Sequence, residues 1–151
     1  MFGAAFYKST RPGIAGLYNI AVRAVTKGEY SHCELIFSDP ETDEGGLSAS
    51  ASFLDGGVRF KRIEFNPDHW DFIELPAHLE PHARAWFEAH EGQGYDILGN
   101  IRFLFFPVPE QRNKFMCSEA IGSALTVIEA WRFEPNALSS ALKLLEAIRG
   151  R

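Results

Sequence analysis

The segment Tyr-Ser-His-Cys-Glu-Leu-Ile-Phe at residues 30–37 opens the run of strand-like sequence that decides the fold. An acidic loop with Pro and Gly follows it at residues 38–46, and Asp55-Gly56-Gly57 gives a later tight-turn signal. Between and after these turns the sequence again has the composition or alternation of strands. The strands expected after the first cover residues 47–53, 58–65 and 70–75 and predict an antiparallel meander.

The sequence before this run predicts one strand and one helix. Ala4–Lys8 is short and apolar, and Thr10–Gly13 interrupts it. Ile14–Val25 has apolar residues at helical spacing, and Lys27-Gly28 is typical of a helix end. The apolar positions of this helix are Ile14, Leu17, Tyr18, Ala21, Val22 and Val25.

The second half of the chain is predicted to be helical. Pro81 suits a helix start, and helices are expected at Ala83–His90, Tyr95–Phe106, Phe115–Ala130 and Ala137–Ile148. Strands followed by helices indicate an α+β fold, with an antiparallel sheet of about four to six strands packed against helices. The length of 151 residues fits one domain covering residues 1–151.

Charge and hydropathy exclude some classes of function. The net charge of −5 disfavours nucleic acid as a partner, and Arg59, Lys61 and Arg62 are expected to lie on a solvated strand face, with a local basic patch as the alternative. The longest apolar run, residues 101–108, is too short to span a membrane. The first residues lack the pattern of a signal peptide, so we expect a cytoplasmic protein in which Cys33 and Cys117 are free thiols.

Cys117 is the candidate nucleophile. It lies where the sequence Phe-Met-Cys-Ser-Glu-Ala-Ile-Gly-Ser-Ala-Leu at 115–125 predicts the start of a helix. The positive end of a helix dipole favours a thiolate, and the backbone amides there can stabilise an oxyanion. The alternative is a buried core cysteine, a common role for this residue type. Glu119, in the first turn of the same helix, is expected to cap it or to brace a loop.

His32 is the candidate base. A strand places His32 and Glu34 on one face, and Cys33, Leu35 and Phe37 on the other. A neutral imidazole beside Cys117 can accept its proton and return it to a leaving group. The alternative is a surface histidine, or a core histidine whose hydrogen bonds are satisfied.

Two of these motifs together resemble a known family. Ser-His-Cys-Glu-Leu-Ile-Phe at 31–37 and the Cys117 helix are similar to the circularly permuted branch of the NlpC-type, papain-like cysteine peptidases and amidases. That branch is related to lecithin:retinol acyltransferase. Its histidine strand precedes the helix that carries the nucleophile, and here His32 precedes Cys117 in the same way. Gly94-Tyr95-Asp96 adds to the likeness, and residues 48–63 and 131–138 resemble a subgroup found in phage and prophage genomes. The resemblance covers nearly the whole chain.

The resemblance implies a permuted papain-like domain that hydrolyses an amide or ester through a Cys117 thioester. The expected substrates are peptide amides, including those of peptidoglycan, or lipid amides and esters, and no cofactor is expected. The family's third catalytic residue is polar and orients the histidine. We expect Ser50 in this role and Glu34 next, although Ser48, Ser50 and Ser52 also suit close packing. Tyr95 is expected to line the substrate cleft, with core packing as the alternative.

Two further possibilities remain. His78 and His82 have the i, i+4 spacing of a metal pair, but Pro81 is expected to leave His78 outside the helix, so no metal site is predicted. The alternative to an enzyme is a catalytically degenerate binding or structural module of a phage or prophage assembly. The lack of an obvious carboxylate or histidine as third residue favours that alternative.

Overall fold

The computed structural model describes residues 1–39, 45–96 and 114–149. These residues contain seven β-strands and four α-helices. The strands are β1 (Gly3–Tyr7), β2 (His32–Ile36), β3 (Gly46–Ser52), β4 (Gly57–Ile63), β5 (Trp70–Glu74), β6 (Gly94–Tyr95) and β7 (Lys114–Phe115). The helices are α1 (Ile14–Thr26), α2 (Glu80–His90), α3 (Cys117–Ala124) and α4 (Pro135–Arg149). Short 3₁₀ turns lie at Ala77–Leu79 and Ala130–Arg132.

The strands form one sheet in the order β5-β1-β2-β3-β4-β6-β7. The α+β prediction is confirmed, whereas the predicted sheet differs in two respects. The described sheet has seven strands rather than four to six, because β6 and β7 extend it by two residues each. It is also mixed rather than antiparallel, because β6 and β7 pair in parallel.

The meander prediction holds for β2, β3 and β4 but not for β5, which pairs with β1 at the other edge of the sheet. All five residues of β1 are buried. A strand buried on both faces belongs inside a sheet with a neighbour on each side, and β2 and β5 provide these neighbours. The Tyr7 and Trp70 rings, 4.9 Å apart, pack directly across the β1–β5 pair.

Two of the predicted helices differ in the structure. The helix expected over Phe115–Ala130 is confined to α3, because the chain turns after Ala124 with left-handed conformations at Thr126 and Glu129. The amide of Val127 donates to the carbonyl of Gly122 at 2.8 Å in this turn. The helix expected over Tyr95–Phe106 is wrong at its first residue, because Tyr95 belongs to strand β6. The residues after Asp96 in that prediction lie outside the described residues.

The main core lies between one face of the sheet and helices α2, α3 and α4. Cys33, Leu35 and Phe37 point into it, as the alternation of β2 predicts, and Phe87 and Ile121 contribute from the helices. The other face carries a smaller cluster of Ala5, Tyr7, Ile36 and Trp70 with Phe65 against it. His32 approaches this second cluster, with its ring 6.3 Å from that of Trp70.

Helix α1 is attached to the domain through polar side chains. Arg23 donates to the backbone carbonyls of Lys8 and Ser9 at 3.2 and 2.5 Å. Asn19 is buried and accepts from the backbone amide of Arg11 at 3.1 Å. None of the helices within the described ranges is long and apolar enough to cross a bilayer.

The packing of α3 yields a stability prediction. Ile121 is fully buried in α3, whereas Ile128 is 86% exposed in the following turn. We expect Ile121→Ala to lower the free energy of unfolding by about 2–5 kcal/mol through lost burial and a residual cavity. Ile128→Ala should change it by less than about 0.5 kcal/mol. Urea titrations of both variants test this, and similar losses in both would contradict the assigned core.

Candidate active site

Cys117 is the first residue of α3, as the sequence predicts. Met116 precedes it in an extended conformation, and the Glu119 carboxylate accepts a hydrogen bond from the Met116 amide at 3.3 Å. Glu119 therefore caps the helix, as expected. The amides of the first turn have no carbonyl acceptor within the helix, so they and the helix dipole favour negative charge at the Cys117 sulfur.

The Cys117 sulfur lies at a local opening between β2 and β3. The two strands pair at only two positions, Leu35–Ala49 and Ile36–Ser48. The Phe37 amide donates to the Leu47 carbonyl at 2.9 Å, and backbone alternation then turns the Cys33 amide and carbonyl towards β3 as well. Instead of strand partners, this amide and carbonyl have side-chain partners. The Cys33 amide bonds the Cys117 sulfur, and the Cys33 carbonyl accepts from the Ser50 hydroxyl at 2.7 Å.

Hydrogen bonding favours the thiolate of Cys117. The hydrogen bond from the Cys33 thiol lowers the pKa of Cys117 most. Burial opposes this effect, but the charge and hydrogen bond of His32 and the Cys33 backbone amide bring the pKa well below the ordinary thiol value. Burial and the neighbouring Cys117 thiolate raise the pKa of Cys33 well above the ordinary value, so Cys33 stays a neutral donor.

His32 is the positive partner of this thiolate. Burial would lower the pKa of His32, but the Cys117 charge and the hydrogen bonds to Cys117 and Glu34 raise it to about 9. Between the two pKa values the pair is a thiolate and an imidazolium. The structure thus brings together the two predicted residues, which lie far apart in the sequence.

Glu34, rather than Ser50, is the residue in contact with the His32 imidazole. The Oε1 atom of Glu34 lies 2.8 Å from Nε2 of His32, which leaves Nδ1 as the ring nitrogen for Cys117. Ser50 was expected first in this role, but its hydroxyl donates to the carbonyls of Cys33 and Ala51. In a regular strand the side chains of His32 and Glu34 lie one residue pair apart, ~7 Å. The long Glu34 side chain closes this distance by leaning along the strand.

Arg59 holds the Glu34 carboxylate in position. Two guanidinium nitrogens donate to the two carboxylate oxygens at 2.7 and 2.5 Å. Burial would raise the pKa of Glu34, but the hydrogen bonds from Arg59 and His32 lower it to about 2. Glu34 therefore stays ionised although it is fully buried. The expectation that residues 59–62 form a solvated face is wrong for Arg59, whose side chain is only 13% exposed.

Two further charges continue the series on β4 and its preceding turn. The Asp55 carboxylate accepts from Arg59 Nε and from Lys61 Nζ, both at 2.9 Å. Burial would raise the pKa of Asp55, but these two cations lower it to about 2. From Cys117 to Lys61, each charge therefore lies beside one of opposite sign. We call these six residues the charge chain: Cys117, His32, Glu34, Arg59, Asp55 and Lys61.

The segment before β2 is fixed by α4. The Asn136 side chain accepts from the Tyr30 amide at 2.8 Å and donates to the Tyr30 carbonyl at 3.0 Å. Glu134 caps α4 by accepting from the amides of Asn136 and Ala137, both at 2.7 Å. These contacts hold the chain two residues before His32, which limits the movement of the imidazole relative to Cys117.

Cys117 and His32 open into a cavity of about 770 Å³. Tyr95 lines it, as expected, and its hydroxyl lies 2.8 Å from that of Tyr18 on α1. Residues 53 and 54, in the turn between β3 and β4, line the cavity with large apolar side chains. Cys117 is therefore accessible to a ligand in the cavity although its own side chain is almost fully buried.

Three residues of the site, Arg59, Asp55 and Asn136, were not predicted from the sequence. One signal was present for Arg59: the alternation of β4 places it opposite Ser50, on the face of the sheet that carries Glu34. A buried carboxylate needs a cation, and a register argument across three strands could have suggested this one. The Asn136 contact depends on how α4 meets the strand entrance, for which the sequence contains no comparable pattern.

No family model matches this sequence, and no curated protein matches it either. In the described ranges, no three side chains of His, Cys, Asp and Glu are grouped in a way that could hold a metal ion.

The orienting role of Glu34 can be tested by proton titration. We expect Glu34→Gln to lower the pKa of His32 by about 1 to 3, because the imidazolium loses a neighbouring negative charge. NMR titration of the imidazole resonances, assigned by comparison with His32→Ala, measures this value. Ser50→Ala is the matched control and should leave it unchanged. If Ser50→Ala lowered the pKa of His32 and Glu34→Gln left it unchanged, Ser50 rather than Glu34 would be the residue that orients the imidazole.

The buried ion pair of Glu34 and Arg59 predicts that the stability of the fold depends on pH. A carboxyl whose pKa is lowered from 4.5 to about 2 stabilises the folded state above 4.5 and loses this effect as the pH falls towards 2. We expect Glu34→Gln to cost about 3–5 kcal/mol at pH 7, because it leaves Arg59 largely buried without its carboxylate. The difference from wild type should shrink between pH 4.5 and pH 2.

Urea titrations at several pH values measure this difference. Glu74→Gln, at an exposed glutamate of β5, is the control and should have little effect at any pH. A loss for Glu34→Gln that is small, or that does not depend on pH, would contradict the prediction.

Proposed function

We propose that this protein is a thiol hydrolase of the cysteine peptidase or amidase type, with a permuted papain-like fold, that cleaves an amide or ester through a Cys117 thioester. The observation that carries the proposal is the buried pair of Cys117 and His32, which opens into a cavity and is backed by Glu34. The chain order of histidine before nucleophile supports the permuted fold.

Acylation begins from the thiolate and the imidazolium. The Cys117 sulfur attacks the carbonyl carbon of the substrate, and the electron pair of the C=O bond moves onto the oxygen. Amides of the first turn of α3 stabilise this oxyanion. When the intermediate collapses, the bond to the leaving group breaks and His32 donates its proton to that group. A thioester on Cys117 and a neutral His32 remain.

Deacylation uses the same residues in the reverse sense. The neutral imidazole accepts a proton from water, and the hydroxyl oxygen of that water attacks the thioester carbon. The Cys117 thiolate then leaves, and the acid product is released. Glu34 keeps the proton on Nε2 throughout, so that Nδ1 exchanges protons with the reacting groups and the imidazolium is stabilised each time it forms.

The alternative of a degenerate binding or structural module depended on the apparent lack of a third residue. Glu34 is bonded to His32 and held by Arg59, and these contacts support Glu34 in that role and the enzyme over the module. Peptidoglycan substrates and an association with phage particles are suggested by the resemblance alone.

The reactivity of Cys117 tests the ion pair without a known substrate. We expect alkylation by iodoacetamide to stay fast at pH 6, because the pKa of Cys117 lies well below the ordinary value. In His32→Ala the rate at pH 6 should fall at least about tenfold, because Cys117 loses the charge and hydrogen bond of His32 while burial still raises its pKa. Peptide mass mapping separates Cys117 from Cys33, and His78→Ala, at an exposed histidine, is the control.

Trapping of a thioester tests the chemistry itself. With p-nitrophenyl acetate we expect a burst of p-nitrophenolate equal to the enzyme concentration and an acetyl adduct on Cys117 in the intact mass. Cys117→Ala should give neither. If wild type alkylates at pH 6 no faster than His32→Ala, and forms no adduct, the protein is not a thiol hydrolase.

A further inference from the structure

Two sulfur atoms meet at the start of α3, and the proposed hydrolysis uses only one of them as a nucleophile. Cys33 and Cys117 are the two cysteines of the chain, both are free thiols, and both belong to the main core cluster. The Cys33 thiol donates a hydrogen bond to the Cys117 sulfur, so the two side chains are in direct contact. A thiol in contact with a thiolate is placed to join it in a disulfide.

The backbone around Cys33 lets the two sulfurs come closer. At Cys33 the strand β2 is paired with Phe6 of β1, but it is not paired with β3. Because the Cys33 amide also bonds the Cys117 sulfur, the start of α3 lies against the backbone of this one residue. A disulfide requires Cα atoms ~4.4–6.8 Å apart and sulfurs ~2 Å apart. Since the sulfurs are already in hydrogen-bond contact, rotation of the two side chains closes the remaining gap.

The two cysteines differ in accessibility and in charge. Cys117 lines the active-site cavity, whereas Cys33 is fully buried and is not among the described residues that line it. Cys117 is held as a thiolate, the form that peroxides oxidise, and Cys33 stays a neutral thiol beside it. An oxidant that enters the cavity therefore reaches Cys117 first, and Cys33 meets only the product of that reaction.

We propose that hydrogen peroxide converts Cys117 and Cys33 into a reversible disulfide, with Cys117 as the residue that is oxidised and Cys33 as the residue that resolves it. Formation of the bond follows from the contact between the sulfurs. Its consequence, the reversible loss of the nucleophile, rests on the proposed function and is a form of regulation of that same site.

The reaction balances with peroxide as the only added reactant. The Cys117 thiolate attacks one peroxide oxygen, the O–O bond breaks, and the leaving hydroxide takes the proton of the His32 imidazolium to form water, which leaves a sulfenic acid on Cys117. The Cys33 sulfur then attacks the Cys117 sulfur, the S–O bond breaks, and the hydroxyl group leaves with the Cys33 proton as a second water. The sulfurs have lost two electrons to the peroxide, and a dithiol reductant returns them by thiol–disulfide exchange.

Peroxide treatment of the reduced protein measures the disulfide directly. With an excess of hydrogen peroxide we expect the intact mass to fall by that of two hydrogen atoms, and peptide mapping to show Cys33 linked to Cys117. The burst of p-nitrophenolate should disappear and return in full after dithiothreitol. A gain of oxygen on Cys117 without a cross-link, or a disulfide between two copies of the chain, would overturn the proposal.

Two variants separate the roles of the two sulfurs. Cys33→Ser keeps a hydrogen-bond donor beside Cys117 but cannot form the disulfide, so excess peroxide should carry Cys117 to a sulfinic acid that dithiothreitol does not reduce. Cys117→Ala should keep its mass, because the remaining thiol is buried and neutral. Mass readouts do not depend on the activity of either variant. Full recovery of the reduced mass in Cys33→Ser, or oxidation of Cys33 in Cys117→Ala as fast as in wild type, would refute the assigned roles.

The same samples separate the failure of this inference from the failure of the proposed function. A reversible disulfide in a protein that gives no burst when reduced would support the redox pair and refute the hydrolase. A burst that peroxide abolishes without a disulfide would do the reverse. An NMR titration adds a readout without turnover: the disulfide should lower the pKa of His32, because the charge and hydrogen bond of Cys117 raise it in the reduced protein. An unchanged pKa of His32 after oxidation would contradict the assigned bond.

Discussion

A fully buried carboxylate, that of Glu34, is the constraint on which the rest of the site depends. A buried charge is tolerated only with close partners, and Glu34 has two cationic ones, Arg59 and the imidazolium of His32. Because Arg59 keeps Glu34 ionised, His32 must donate from Nε2, and Nδ1 is left for Cys117. The orientation of the histidine thus follows from a salt bridge between two strands, β2 and β4, that do not pair with each other.

The opening between β2 and β3 is the second structural requirement. In a regular ladder the Cys33 amide and carbonyl would be used by β3, and no sulfur could approach between the strands. Here pairing is limited to two positions, and the start of α3 brings Cys117 to the Cys33 amide while Ser50 satisfies the carbonyl. Ser50 therefore has a structural role: it satisfies a buried carbonyl that the irregular sheet would otherwise leave without a partner.

The parts of this structure that follow from periodicity and end signals were predicted from the sequence. Alternation placed His32 and Glu34 on one face of β2, and the sequence around Cys117 predicted the start of a helix there. What failed depends on contacts between distant elements. The choice of Glu34 over Ser50 is decided by side-chain reach and by Arg59, and the position of β5 is decided by the burial of β1. The end of α3 at Ala124 depends on the left-handed conformations of Thr126 and Glu129. Residues 125–130 contain no glycine or proline from which a helix end could have been predicted.

The charge chain and the apolar cavity place opposite demands on the solvent around Cys117. Any ligand that fills the cavity displaces water, which strengthens the attraction between thiolate and imidazolium but also removes the hydration of each. The pair keeps its charges in that situation because its other partners are built into the strands: the Cys33 thiol and amide for the sulfur, and Glu34 with Arg59 for the imidazolium. Such fixed donors do not have to reorganise when water leaves, which is the condition for attack in a dry site. The proposed hydrolysis of a thioester, by contrast, needs one water beside His32. In that reaction the leaving group and the attacking water both exchange a proton with the same imidazole, so the leaving group has to depart before the water can take its place.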